Sequence, residues 1–158
     1  MTITKWNMSD WKAKADVPLS EGVHTLQVEY ASIDDTTKAY SVTLRCVDSD
    51  EVSQIRYFPV KKDGSRNNMA IGTLNSLGEA IFGQNVGIPW VDDILNGVVE
   101  ADVKYSQEFV KADGSKGHYI NVYAYRPIKK ETFEALKELG FKLNDDQYYE
   151  GKPVSKEE

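Results

Sequence analysis

Hydrophobic and polar positions alternate with a period of two through much of the first sixty residues. In "GVHTLQVEYASI" (22–33), Val23, Thr25, Gln27 and Glu29 alternate with His24, Leu26, Val28 and Tyr30. "AYSVTLRCV" (39–47) places Tyr40, Val42, Leu44 and Cys46 on one parity, and "SQIRYFPV" (53–60) runs on to Pro59. Successive side chains of a strand point to opposite faces, so these segments predict three strands, separated by turns at "DDTTK" (34–38) and "DSDEV" (48–52). The period then changes. Between Asn67 and Phe82, Ile71, Leu74, Gly78 and Ile81 fall at helical spacing, and Gly83 is a stop signal. Gly72 and Gly78 weaken such a helix by about 1 kcal/mol each against alanine, or leave room for close packing on a sheet.

Pro89 opens a short turn through "WVDDILNG", and "VVEADVKYSQEFV" (98–110) and "HYINVYAYRPI" (118–128) read as a fourth and a fifth strand. The link between them, "KADGSKG" (111–117), contains Asp-Gly and a second glycine, which predicts a hairpin. "KETFEALKELG" (130–140) is a short amphipathic helix in which Phe133, Leu136 and Leu139 share a face. Three divisions follow: an arm over 1–20, with Trp6, Met8 and Trp11 among polar neighbours, that docks through its tryptophans, an OB-fold-like β body over 21–128, and a helix with a polar, end-mobile tail over 129–158. Five strands with short links and a helix between the third and fourth is the element order of the OB-fold, a five-stranded Greek-key barrel. The expected class is therefore mainly β, OB-fold-like, with a C-terminal helix, and a mixed sandwich is the alternative.

The fifth predicted strand carries an unusual pattern. Tyr119, Asn121, Tyr123 and Tyr125 share one parity, and Ile120, Val122 and Ala124 share the other. The second set suits a core. The first either packs under another element or presents a row of rings to a flat ligand.

Composition narrows the choice. Of the 158 residues, 41% are hydrophobic and 28% charged, enough for one soluble globular core. No apolar run approaches the ~18 residues of a membrane span, and the N-terminus has no stretch like a signal peptide's, so the protein is expected to stay in the cytoplasm. The one cysteine, Cys46, excludes an intramolecular disulfide and reads as a small buried hydrophobe. Net charge is −6, but it is distributed in blocks: residues 56–78 carry +3 and residues 103–130 carry +4, between stretches of −4, −5 and −4. A fold that brings the two basic blocks together makes a positive stripe on an acidic protein.

Catalytic signals are sparse. His24 and His118 lie on different predicted strands, and no nucleotide-binding glycine loop or nucleophile elbow occurs. Asp102-Val103-Lys104, preceded by Asp92 and Asp93, fits a magnesium-dependent nuclease, but Asp-x-Lys is common in exposed strands and also reads as a solvated face. Binding signals are richer. Proteins that hold single strands combine a basic groove with aromatic faces on which bases stack. The third strand offers Arg56 and Phe58 on one parity, followed by Lys61, Lys62 and Arg66. The fifth offers Tyr119, Tyr123 and Tyr125, with Lys111 and Lys116 before it. Lys104 and Arg45 extend the set. "KKDGSR" (61–66) and "KADGSK" (111–116) also echo one another, as two gripping loops or two unrelated polar turns.

"LSEGVHTLQVEYASID…YSVTLRCVD" and "VVEADVKYSQEF…GHYINVYAYRPI" resemble the opening strands and closing hairpin of small phage-encoded proteins of replication and recombination modules, which are similar to OB-fold single-stranded DNA-binding proteins. The resemblance spans about residues 19–128. It implies a non-enzymatic protein of the bacterial host cytoplasm that binds single-stranded DNA without a cofactor or metal, alongside recombinase or replication proteins and with self-association open. The chain departs from the pattern at Pro18 and Gly22, and its tail ends in "SKEE" rather than in an acidic segment closed by a hydrophobic pair. Two alternatives stand beside this expectation: an interaction module or host-factor inhibitor acting through the acidic blocks, and the nuclease.

Overall fold

Alternation becomes strand, and helical spacing becomes helix, close to where the pattern places them. In the computed structural model, which describes residues 17–49, 51–149 and 152–153, the elements are β1 (Gly22–Ile33), β2 (Tyr40–Cys46), β3 (Val52–Tyr57), α1 (Asn68–Phe82), a 3-10 turn (Val91–Ile94), β4 (Val98–Tyr105), β5 (Phe109–Val110), β6 (Lys116–Gly117), β7 (Ile120–Pro127), α2 (Lys130–Glu138), β8 (Tyr148–Tyr149) and β9 (Lys152–Pro153). Trp6, Met8 and Trp11 lie outside the described residues.

Five strands form one antiparallel sheet in the order β3-β2-β1-β4-β7. Four antiparallel steps make the two edge strands, β3 and β7, run in the same direction. The closed barrel expected of the sequence is not what forms: no ladder joins β3 to β7. Paired strands need backbones about 4.8 Å apart, and here a tyrosine side chain stands between them. The Tyr57 hydroxyl donates to the Val122 carbonyl at 2.7 Å and lies 2.5 Å from the Tyr125 hydroxyl. The edges are therefore held by side chains across a gap.

One face of the sheet is the core. Leu26 and Val28 of β1, Val42 and Leu44 of β2, Ile55 of β3 and Val99, Ala101 and Val103 of β4 are buried against Leu74, Leu77 and Ile81 of α1. Burying each of these valine, leucine and isoleucine side chains is worth about 1.5–3 kcal/mol against leaving it exposed. The helix begins where Asn67 accepts the Ala70 amide on its side chain and ends at Gly83, whose φ of 74° a side chain would resist. Gly78 has a packing reason, since a Cβ there would come within 3.1–3.3 Å of Val86 and Pro89.

Residues 17–20 of the predicted arm lie across the start of β3 and the end of β4. The Val52 amide donates to the Val17 carbonyl, the buried Leu19 donates its amide to Ser53, and the Tyr105 hydroxyl donates to the Leu19 carbonyl. A second apolar cluster joins Val98 and Ile128 to Phe133 and Leu136 of α2, with Phe141 and Leu143 packed on it. The segment read as a polar tail is docked as far as Tyr148. Gln147 is fully buried; its carbonyl accepts the Val98 amide at 2.7 Å and its amide donates to the Tyr148 carbonyl. Asn144 donates to the carbonyls of Asp93 and Leu95, and Gln27 donates to that of Lys142.

Candidate nucleic-acid interface

The β2–β3 register sets Arg56 opposite Ser41, on the solvent side, while Ile55 opposite Val42 is buried. The parity expected of Arg56 and Phe58 therefore holds, and Phe58, just past the strand, is 44% exposed. Across the gap stand Asn121 and Tyr123 of β7. Between them runs a groove of about 540 Å³, with Met69 and Thr73 of the first turns of α1 along its side. Met69 is 83% exposed, a large apolar side chain left in water. A second groove, of about 520 Å³, runs along the β1–β2 turn past Asp34 and Gln54 and shares Arg56 and Phe58 with the first. These two residues thus form the ridge between two grooves. The amides of Thr37 and Thr36, with a smaller contribution from Arg56, hold the Asp34 carboxyl below the usual carboxylate range. The ridge therefore has an anion near its guanidinium.

The tyrosine row does not survive as a row. Ala124 adopts φ 57°, and the β4–β7 register slips between Glu100 and Asp102. This irregularity rotates the following side chains, so Tyr125, expected to stack bases, turns inward to 6% exposure and joins Tyr57 in the core. Ala124, expected in the core, is exposed. Tyr123 stays partly exposed at the groove. Tyr119 is 67% exposed but precedes β7, and its ring stacks on Phe109 with centroids 4.8 Å apart. His118 stacks on Tyr105 beside it. The predicted fourth strand ends at Tyr105, and these rings lie at the base of the short β5–β6 hairpin that follows.

The cations divide likewise. Lys104 is exposed on β4 opposite Asn121, on the groove's flank. Lys61, Lys62 and Arg66 are exposed in the turn after β3, and Lys111 and Lys116 in the β5–β6 hairpin, with the Lys111 side chain draped over Gly117. Arg45 is not gathered in. It sits four residues along β2 from the partner of Arg56, about 13 Å away, and is ion-paired with Glu29. Arg126 binds Glu100 and Asp102 at 3.0 and 3.2 Å. Asp102, the carboxylate of the nuclease alternative, is therefore engaged by a guanidinium, and among the described residues no group of three His, Cys, Asp or Glu could hold a metal ion. Cys46 is buried and donates to Asp48, and burial pushes its thiol up. Sequence reasoning missed Asn121, Met69 and Phe109 as parts of this surface. Only Asn121 carried a signal, through its place in the tyrosine segment.

No family model matches the chain, and no curated protein matches it in sequence. Among the described residues no helix is long and apolar enough to cross a membrane.

Proposed function

We propose that the chain is a non-enzymatic protein of OB-fold type that binds single-stranded DNA with little sequence preference, in phage replication or recombination. The strand order, with a helix between the third and fourth strands of the sheet and an open seam between its edges, supports the OB reading, since that barrel is commonly only partly closed. One observation carries the functional reading: the Arg56–Phe58 ridge faces Tyr123 and Asn121 across an open groove, with basic turns at the end of β3 and ahead of β7. Phe58, Tyr123 and Tyr119 supply faces for bases of any sequence, and Arg56, Lys61, Lys62, Arg66, Lys104, Lys111 and Lys116 supply charge for phosphates.

Fluorescence anisotropy with labelled oligothymidine tests this. If about six cations meet phosphates, log affinity falls with log salt at a slope of about −4, so a fourfold rise in salt weakens binding by about 300-fold. Phe58→Ala and Tyr123→Ala each cost about 5-fold to 150-fold, the range of one stacked base. Affinity indifferent to salt refutes the proposal.

A second reading has its own observation. Val86, Ile88 and Trp90 are exposed on the segment leading to Asp92 and Asp93, an acidic surface with apolar side chains suited to a protein partner. Under it, Phe58→Ala and Tyr123→Ala leave partner binding intact.

A further inference from the structure

Two heptapeptides of this chain fold into the same object. "VKKDGSR" (60–66) and "VKADGSK" (110–116) are identical at five positions and both end in a cation. In the first, the Lys61 amide donates to the Ser65 carbonyl at 2.8 Å and the Gly64 amide to the Lys61 carbonyl at 2.9 Å. In the second, the Lys111 amide donates to the Ser115 carbonyl at 2.7 Å and the Gly114 amide to the Lys111 carbonyl at 2.9 Å. Gly64 and Gly114 have φ of 86° and 87°. Asp63 accepts both the amide and the hydroxyl of Ser65, and Asp113 does the same with Ser115. Val60 pairs with Arg66, and Val110 with Lys116.

Asp-Gly-Ser is enough to make such a turn. It does not require the exposed valine, the flanking cations or an aromatic stem, yet both hairpins have all three. Phe58 stands at the base of the first, and the Phe109–Tyr119 stack at the base of the second. Each aspartate is bonded within its own turn, which leaves the lysines and arginine without a bonded carboxylate in the hairpin. Placement completes the picture. The first hairpin follows β3 and the second precedes β7, the two edges run in the same direction, and the groove joins residues 55–58 to 120–123. The hairpins therefore stand beyond opposite ends of the groove.

We propose that the two hairpins are equivalent grips on one single strand of nucleic acid, each taking a phosphate on its basic tip and a base on its aromatic stem, so that the strand is held at two points with the groove between. This rests on the single-strand reading above. Once one grip is engaged, the second contact becomes intramolecular, and affinity depends on whether the strand is long enough to reach it.

The test titrates labelled oligothymidines from very short ones up to about 16 nucleotides, the upper end of the roughly 4–16 covered by one such domain, against the wild-type chain, a K61Q/K62Q/R66Q variant and a K111Q/K116Q variant. All the substituted residues are exposed, and unchanged thermal unfolding checks the fold. The wild type is expected to bind two short oligonucleotides per chain, then to switch to one longer strand with a jump in affinity of about 100-fold or more. Each variant is expected to bind one short oligonucleotide and to lose the jump. A smooth rise with length, with each variant weakening short and long strands by the same factor, overturns the two-grip arrangement while leaving single-strand binding in place. Absence of wild-type binding at every length overturns both.

Discussion

Tyr57→Phe removes one oxygen from the seam between β3 and β7 and strands two partners. The Tyr57 hydroxyl has one proton, which goes to the Val122 carbonyl at 2.7 Å, so the contact at 2.5 Å must be donated by Tyr125. Val122 and Tyr125 are both buried, so little water reaches what they lose. Two bonds disappear and a buried donor and a buried acceptor are left unpaired, a cost of about 2–3 kcal/mol. Tyr125→Phe is milder, because Tyr57 keeps its bond to Val122; its cost is about 1 kcal/mol. In the double variant only the carbonyl is stranded, so its cost, about 2 kcal/mol, falls short of the sum of the single ones. Urea unfolding of the four proteins measures this, with equal slopes against denaturant marking the losses as stability rather than altered compactness. Equal costs for the two single variants, or strict additivity, would refute the assignment of donor and acceptor and the idea that these hydroxyls hold the seam.

Three other outcomes follow from the same contacts. Gln147→Leu leaves the Val98 amide unpaired in the second apolar cluster and should cost about 2–3 kcal/mol in urea unfolding, with a loss below about 0.5 kcal/mol counting against the strap. Burial pushes the Tyr125, Tyr57 and Tyr40 phenols up, so the fold favours their neutral forms; this stability is complete below the unfolded value near 10 and is lost as pH rises above it. Thermal midpoints measured from pH 8 to 11 should hold and then fall, and a flat profile would contradict the burial. Arg45→Ala should leave oligothymidine affinity within about twofold, because Arg45 lies off the groove and beside Glu29, whereas a tenfold loss would put it in the interface.

Local chemistry made parts of this fold legible in the sequence. The helical spacing from Asn67 and the Gly83 stop bracket α1 within a residue, and Asp-Gly marks both hairpins, because each signal acts on backbone only a few residues away. Arg56 was legible for the same reason: β3 is regular, and parity survives in a regular strand, carrying on to the exposed Phe58 just past its end. Tyr125 was not. Its face depends on Ala124 adopting a positive φ that no glycine or asparagine announces, within a register slip set by β4. Gln147 was illegible for a different reason. A glutamine among aspartates reads as solvated, and only the distant Val98 amide makes its burial favourable. The groove was half legible, since the two ridge residues come from the pattern but Met69 and Asn121 meet them only through tertiary folding.

Gln147 lies 49 residues beyond the amide it completes. Synthesis delivers a chain from its N-terminus, so all five strands are made before the partner of Val98. A nascent chain stopped after β7 would own the whole sheet and still carry a bare donor at the head of β4, next to Phe133 and Leu136 not yet arrived. Completion of β4, the neighbour of the groove's β7 edge, thus waits on a segment made after the whole sheet.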